Sequence, residues 1–145
     1  MSTEQTLILV KPDGVAAGHI GDVISRLEGK GYVIAGLKVV AKATDAQLRQ
    51  HYADKVTKAY FPELVDYMQS GPLVAIIAEG VNVVAAFRQI AGVTNPDEAA
   101  PGSIRGDYGR SWADGAIRNV VHSSDSPEAA KHEMQIWFPE LNLNS

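Results

Sequence analysis

The sequence contains no cysteine among its 145 residues. This absence excludes a disulfide framework, a zinc–thiolate site and an iron–sulfur cluster, and it fits a reducing compartment. Long apolar runs are also absent, and Met1 to Gln5 has no basic segment followed by an apolar one. Such runs and segments mark membrane spans and signal peptides. We therefore expect a cytoplasmic protein with no membrane segment.

Positive charge is scarce too, because 13 lysines and arginines stand against 17 aspartates and glutamates. Proteins that bind nucleic acids usually carry a basic excess, so no nucleic-acid partner is expected. The sequence has no P-loop, and Gly18 to Gly21 is too sparse in glycine for a dinucleotide fingerprint. The protein-kinase signature is missing as well. If this protein handles nucleotides, it does so without the common phosphate-binding loops.

The residues that are present suit a globular fold. Hydrophobic residues make up 46% of the chain and charged residues 21%, a balance that can close a core. The length fits one domain of ordinary size. Since no repeat or low-complexity segment divides the chain, we predict a single domain over residues 1–145.

Short apolar runs alternate with segments of helical spacing. The runs that predict strands are Thr6 to Val10, Tyr32 to Lys42, Leu73 to Ala78 and Asn119 to Ser123. Helical spacing is found after each of these runs, and the predicted helix starts are Thr44 with Gln47, Asn82, and Ser126 with Pro127. This order predicts an α+β fold, a ferredoxin-like four-stranded antiparallel sheet covered by helices.

Two segments fit neither pattern. Lys11-Pro12-Asp13-Gly14 is predicted to be the turn that closes the first strand. From Gly92 to Arg118 the sequence is rich in glycine, proline, aspartate and asparagine and predicts one long loop. Loops of this length inside a domain are often functional.

His122 is the candidate nucleophile, because a neutral imidazole can attack near neutral pH while a carboxylate holds its other nitrogen. Glu133 follows on the next predicted helix, at a spacing that permits this contact. The alternative is that His122 is a buried or capping histidine. His19, His51 and His132 lack such a setting, and we interpret them as ordinary structural histidines.

Lys11, Arg88 and Arg105 are the candidate cations for a phosphate, since several donors from separate segments must meet there. The alternative for each is a solvated surface charge. The residues alone therefore leave open whether a histidine nucleophile and a phosphate site exist.

The motifs resemble those of nucleoside diphosphate kinases. The matching segments are Thr6 to Val15, Ser70-Gly71-Pro72, Thr94-Asn95-Pro96, Pro101 to Asp107, and Asn119-Val120-Val121-His122-Ser123-Ser124-Asp125. They occur in the family's order, from about Thr6 to Phe138. One departure is the segment between Arg105 and Asn119, which is longer than is usual in the family.

The resemblance implies roles for individual residues. His122 would be phosphorylated, Glu133 would orient its ring, and Ser124 would support that acid. Lys11 and Asn119 would lie near the sugar hydroxyls and the transferred phosphate, with Tyr52 at the floor of the site. The implied nucleotide-binding residues are Arg88, Thr94 and Arg105 for the phosphates, Tyr60 for one face of the base, and Ala116 or Ile117 for the other.

The resemblance also implies a function. It is the transfer of a γ-phosphoryl group between nucleoside tri- and diphosphates through a phosphohistidine, in a ping-pong cycle. Mg²⁺ is the expected cofactor, bound through the nucleotide phosphates and not by a protein site, and a homo-oligomer is expected. The alternatives are an inactive family member that acts as an interaction module, and a nucleotide sensor.

Overall fold

A computed structural model of the protein describes residues 2–113 and 117–141. Its centre is a four-stranded sheet of β1 (Thr3–Val10), β2 (Val33–Val40), β3 (Leu73–Val81) and β6 (Val121–Ser123). The strands lie in the order β2–β3–β1–β6, and every neighbouring pair is antiparallel. A separate two-stranded hairpin is formed by β4 (Arg110–Ser111) and β5 (Ile117–Arg118). The predicted ferredoxin-like α+β architecture is confirmed.

Helices lie on this sheet. They are α1 (Pro12–Ala16), α2 (Ile20–Gly29), α3 (Asp45–His51), α4 (Phe61–Met68), α5 (Val83–Ala91), α6 (Ile104–Tyr108) and α7 (Pro127–Trp137). Short 3₁₀ turns follow α3 and α7, at Ala53–Lys55 and Pro139–Leu141. None of the helices in the described ranges is long and apolar enough to cross a membrane.

β1 is apolar on both faces because both faces are covered. Side chains of a strand alternate between its faces. Leu7 and Leu9 accordingly join the core layer that contains α3, α4 and α7, while Ile8 and Val10 join the layer that contains α2 and α5. All four side chains are fully buried. The continuous apolar run in the sequence is therefore explained by the central position of β1.

Two of the three predicted helix caps are formed. The Thr44 hydroxyl accepts the Gln47 backbone N–H, and the Gln47 side chain accepts the Thr44 N–H. The Ser126 hydroxyl accepts the Ala129 N–H at the start of α7. Asn82 does precede α5, but it has a left-handed backbone with φ 58° and its side chain does not cap the helix. The cap predicted for Asn82 is therefore wrong.

Two predicted loops contain regular structure. The segment predicted to be a turn at Lys11-Pro12-Asp13-Gly14 is the beginning of α1, with Lys11 at the N-cap position. The long loop contains α6 and the β4–β5 hairpin. Ser103 is the N-cap of helix α6, and its hydroxyl accepts the Gly106 N–H. A helix of this length is too short to show a helical period, and α6 therefore had no periodic signal.

The topology brings distant segments to one end of the sheet. β6 pairs with β1, so that His122 lies opposite Leu9 and Val121 opposite Val10. Lys11 comes directly after β1, and its backbone N–H donates to the Val120 carbonyl at 2.8 Å. Helix α7 packs against β1 and α3, and so the carboxylate of Glu133 can reach the end of β6.

Candidate active site

An open pocket of about 680 Å³ lies at this end of the sheet. Most of the candidate site residues line it: Lys11, Tyr52, Arg88, Thr94, Arg105, Asn119, His122 and Glu133. These side chains come from β6, from three helices (α5, α6 and α7) and from the segments that join the elements. The structure thus brings the three candidate phosphate-binding cations, Lys11, Arg88 and Arg105, into one pocket with His122.

One nitrogen of His122 is already occupied. Its Nε2 lies 2.8 Å from Oε1 of Glu133. An ionised carboxylate only accepts hydrogen bonds, and the imidazole proton is therefore on Nε2. Nδ1 of His122 has no hydrogen-bond partner among the described residues, so its lone pair is available. This is the protonation pattern that a nucleophilic imidazole needs.

Ser124 supports the carboxylate from beneath. Its buried hydroxyl donates to Glu133 Oε1 at 2.7 Å and accepts the backbone N–H of Leu7 at 3.1 Å. The acid is thereby tied to the central strand β1. Hydrogen bonds between a ligating or reacting group and such supporting side chains fix its orientation.

Lys11 and Asn119 form a second pair in the pocket. Lys11 Nζ donates to Asn119 Oδ1 at 2.8 Å, and the Asn119 side-chain amide donates to the Thr94 carbonyl at 3.2 Å. Burial, and then the positive charge of Arg105, lower the pKa of Lys11 to about 8. An anionic ligand beside Lys11 would therefore stabilise its charged ammonium form.

Some of the hydrogen-bond donors of Arg105 already bind backbone carbonyls of the protein. Its guanidinium donates to the backbone carbonyls of Gly92 at 2.8 Å, Asn119 at 3.2 Å and Val121 at 2.7 Å. Burial, and then the nearby charge of Arg88, lower its pKa to about 10. A guanidinium has five N–H donors, so these bonds leave capacity for a ligand. Arg105 thus joins the loop to β6 while it faces the pocket.

The other predicted residues differ in their position. Arg88 is exposed at the rim, 3.8 Å from Asp125. The Tyr52 hydroxyl is buried and has no hydrogen-bond partner in the described part of the chain. Burial, and then Glu133, raise the pKa of Tyr52, which keeps its hydroxyl a donor. Tyr60 is exposed and does not line the pocket. Ala116 and the side chain of Ile117 lie outside the described residues.

His51 is a site residue that the sequence analysis missed. Its ring packs edge-on against that of His122, with 4.4 Å between ring centroids, and its Nδ1 accepts the Trp137 indole N–H at 3.0 Å. Burial, and then the charge of His122, hold its pKa well below the usual range. The interpretation of His51 as a histidine without a comparable setting is wrong. The contact joins α3 to α7 and β6, and no local pattern could show it.

His51, His122 and Glu133 also place possible metal-ligand atoms within 4.8 Å of one another. The indole of Trp137 can only donate, so the proton of a neutral His51 is on Nε2. A metal on that nitrogen would require the proton to leave or the Trp137 bond to break. Mg²⁺, moreover, prefers oxygen ligands and water to imidazole. The cluster therefore does not suit Mg²⁺.

The sequence and the fold were compared with known proteins. A sequence model of the family described as nucleoside diphosphate kinase matches residues 4–143. A nucleoside diphosphate kinase of Nocardia farcinica is 50% identical over 140 residues, which are 96% of this chain and 97% of the relative. Nucleoside diphosphate kinase 1 of Pisum sativum is also 50% identical, over 97% of this chain and 91% of the relative.

Solved structures show the same similarity. A halophilic nucleoside diphosphate kinase from Halobacterium salinarum, in complex with CDP, superposes with a TM-score of 0.86 and 38% identity. The match covers 94% of this chain and 88% of that one. Because the family model and these relatives extend over nearly the whole chain, the chain belongs to the nucleoside diphosphate kinase family and is a phosphotransferase of that class.

Proposed function

We propose that His122 carries the phosphoryl group in this chain. Its Nδ1 attacks the γ-phosphorus of a nucleoside triphosphate, the bond to the bridging oxygen breaks, and the diphosphate leaves with that electron pair. A second nucleoside diphosphate then enters and attacks the phosphorus, and the N–P bond breaks in a ping-pong cycle. The supporting observation is the Nε2–Glu133 hydrogen bond, which leaves Nδ1 free in a pocket that contains three cations.

The remaining pocket residues would bind and stabilise the phosphates. Lys11, Arg88 and Arg105 supply positive charge where the transferred group becomes most anionic. Asn119 and Thr94 lie beside Lys11, and the unpartnered hydroxyl of Tyr52 can donate to a phosphoryl oxygen. Glu133 and Ser124 hold the His122 ring and stabilise the cation that phosphorylation creates.

We propose nucleoside tri- and diphosphates as the substrates, with Tyr60 against one face of the base. Its exposed ring offers a stacking surface that any base can use, because every base has a π-face. The Halobacterium salinarum relative was solved with CDP, and that ligand supports a nucleotide in this pocket as well.

Mg²⁺ is the proposed cofactor. It would bind through phosphate oxygens and water, since the nitrogen-rich cluster around His122 does not suit it. When bound it would draw charge from the phosphate oxygens. Lys11, Arg88 and Arg105 would then align the triphosphate with Nδ1.

We also propose that the chain acts as a homo-oligomer through β2. This strand is at the edge of the sheet, and Val33, Leu37 and Val39 expose 58%, 52% and 70% of their surface. An apolar edge strand is a template for pairing with another strand. Antiparallel pairing of two copies of β2 would form a symmetric dimer contact. As the sequence suggests, the protein would act in the cytoplasm as a single domain over residues 1–145.

A labelling experiment tests this function. The protein is incubated with Mg²⁺ and ATP labelled in the γ-phosphate, and a different nucleoside diphosphate is then added. We expect an acid-labile, alkali-stable label that moves to the diphosphate. The His122→Ala variant should take up no label, while the matched His132→Ala variant, changed at an exposed histidine of α7, should label normally. Tight nucleotide binding without label would instead favour an inactive module or a sensor.

A further inference from the structure

The backbone before His122 is strained at Val120. This buried residue has φ 72°, in the left-handed region that a β-branched side chain strongly disfavours. The Val121 N–H donates to the Asn119 carbonyl at 2.7 Å across it, which makes a γ-turn of the rare form with positive φ. The strained residue thus lies between Asn119 and His122.

Asp13 holds this turn from the side of α1. One carboxylate oxygen accepts the backbone N–H of Val120 at 3.1 Å, and the other accepts the Tyr67 hydroxyl. The carbonyl of Val120 in turn accepts the Lys11 N–H at 2.8 Å. A strained residue persists only where its surroundings over-determine it. Asp13 and the backbone of Lys11 therefore bind Val120 from both of its peptide groups.

We call the bonds that Asp13 and the backbone of Lys11 make to Val120 the clamp, and the packing around it is tight. Gly14 follows Asp13, and a Cβ there would lie 2.9 Å from the Val120 carbonyl oxygen. Helix α1 therefore packs directly on the strained turn. Its first residues position both the ammonium of Lys11 and the carboxylate of Asp13.

We propose that Asp13 is a positioning residue for phosphoryl transfer: by fixing the Val120 turn it sets Lys11, Asn119 and His122 relative to one another. The inference rests on the proposed role of His122. Asp13 itself does not line the pocket and touches no reacting atom. Its effect passes through the Lys11–Asn119 hydrogen bond on one side of the turn and through β6 on the other.

The Asp13→Asn variant tests the clamp, because it keeps the size of the side chain but leaves a single oxygen that cannot accept both the Val120 N–H and the Tyr67 hydroxyl, while the new NH₂ group can only donate. The rate at which labelled ATP phosphorylates His122 is measured in a single turnover, and the thermal midpoint is measured alongside. We expect a rate about 10- to 100-fold lower at temperatures where the variant is folded, since small misplacements of reacting groups have effects of this size. The matched control is Asp66→Asn, which removes an exposed acid beside Tyr67.

Val120→Gly separates positioning from a merely structural role. Glycine adopts positive φ without strain, so the turn no longer depends on the clamp. In this background Asp13→Asn should lower the phosphorylation rate by less than about threefold, a clear departure from additivity. Tyr67→Phe removes only the hydrogen bond from Tyr67 to Asp13. In a chain that keeps Val120, it should slow phosphorylation less than Asp13→Asn does.

Three results would overturn the inference. One is that Asp13→Asn slows phosphorylation by the same factor with Val120 and with Val120→Gly. The others are that Asp13→Asn does not slow phosphorylation at all, or that Asp66→Asn slows it equally. If the unaltered protein takes up no label at all, the proposed function fails instead. Normal labelling of the unaltered protein and of Asp13→Asn at equal rates would contradict the role of Asp13 alone.

Discussion

The hydrogen bond from Nε2 of His122 to Glu133 determines which nitrogen can react. The carboxylate holds the proton on Nε2, and Ser124 holds the carboxylate. In the proposed reaction the ring would become a cation after transfer, with the same carboxylate 2.8 Å from it. One acid would therefore orient the neutral ring and stabilise the charged one.

Replacing this acid should slow the chemistry more than it weakens binding. In Glu133→Gln the neutral amide can still occupy the space but cannot compensate the charge on a phosphorylated ring. We expect the phosphorylation rate of His122 to fall about 10- to 100-fold. Diphosphate affinity, measured by calorimetry, should stay within about threefold. An affinity loss as large as the rate loss would contradict the assigned role.

The pKa of Lys11 predicts an alkaline limit to activity. Lys11 is charged below its pKa of about 8 and loses its proton as the pH rises through that value. The rate constant kcat/KM for the triphosphate should therefore fall above about pH 8, approaching tenfold per unit. It is measured from pH 6 to 10.

Lys11→Arg is the matched variant for this pH profile, because a guanidinium holds its proton more strongly than an ammonium and stays charged where Lys11 loses its proton, near pH 8. Its activity is expected to be lower, since the shape of the group differs. The fall near pH 8 should nevertheless be absent from its profile. The same fall in Lys11→Arg would mean that another group titrates there.

At the level of residues, the sequence predicts most about local motifs. The strand that carries His122, the helix that carries Glu133 and the strand that precedes Lys11 each have a recognisable pattern, whereas the roles of these residues are implied by the family resemblance and stay predictions. The position of His51 at the site could not be predicted, since its contact with His122 depends on how α3 packs against α7. The strain at Val120 could not be predicted either, because a valine in a sequence gives no indication of a positive φ.

Among the elements, α7 matters most for the site. Ser126 is its N-cap, and Pro127 lies in its first turn. Two of its residues lie at the site, because Glu133 contacts His122 and Trp137 contacts His51. The long strands and amphipathic helices were predictable from periodicity. Helices α1 and α6 and the β4–β5 hairpin were not, because each is too short for its period to repeat.

Removing the cap of α7 should weaken the fold. In Ser126→Ala the backbone N–H of Ala129 loses its acceptor, and the free energy of unfolding should fall by about 1 kcal/mol. Urea denaturation at a fixed protein concentration measures it. Ser2→Ala, at an exposed position near the start of the chain, is the control and should change nothing. Equal stability of Ser126→Ala and Ser2→Ala would show that the cap contributes little.

For the whole molecule, the exposed edge at β2 is the feature that a single chain does not explain. Exposed apolar side chains alternate with half-buried side chains along β2. This pattern is expected for an edge strand that another strand covers. The sequence alone could not distinguish this edge from a covered strand, because both carry the same β-branched residues.

A charge on this edge should change the size of the protein in solution. Leu37→Asp places a carboxylate on the exposed face of β2, and we expect a smaller species in analytical ultracentrifugation. Val81→Lys, which charges an exposed apolar residue on β3 beyond the paired part of β2, should leave the size unchanged. A monomeric unaltered protein would contradict the proposed contact.

The most direct test of the proposed reaction is the position of the phosphoryl group on the protein. After brief reaction with Mg²⁺ and ATP at alkaline pH, mass spectrometry of peptides and ³¹P–¹H NMR locate the modification. We predict one phosphoryl group per chain, on Nδ1 of His122. A phosphoryl group on Nε2, on His51 or on a serine of the same segment, with His122 unmodified, would contradict it.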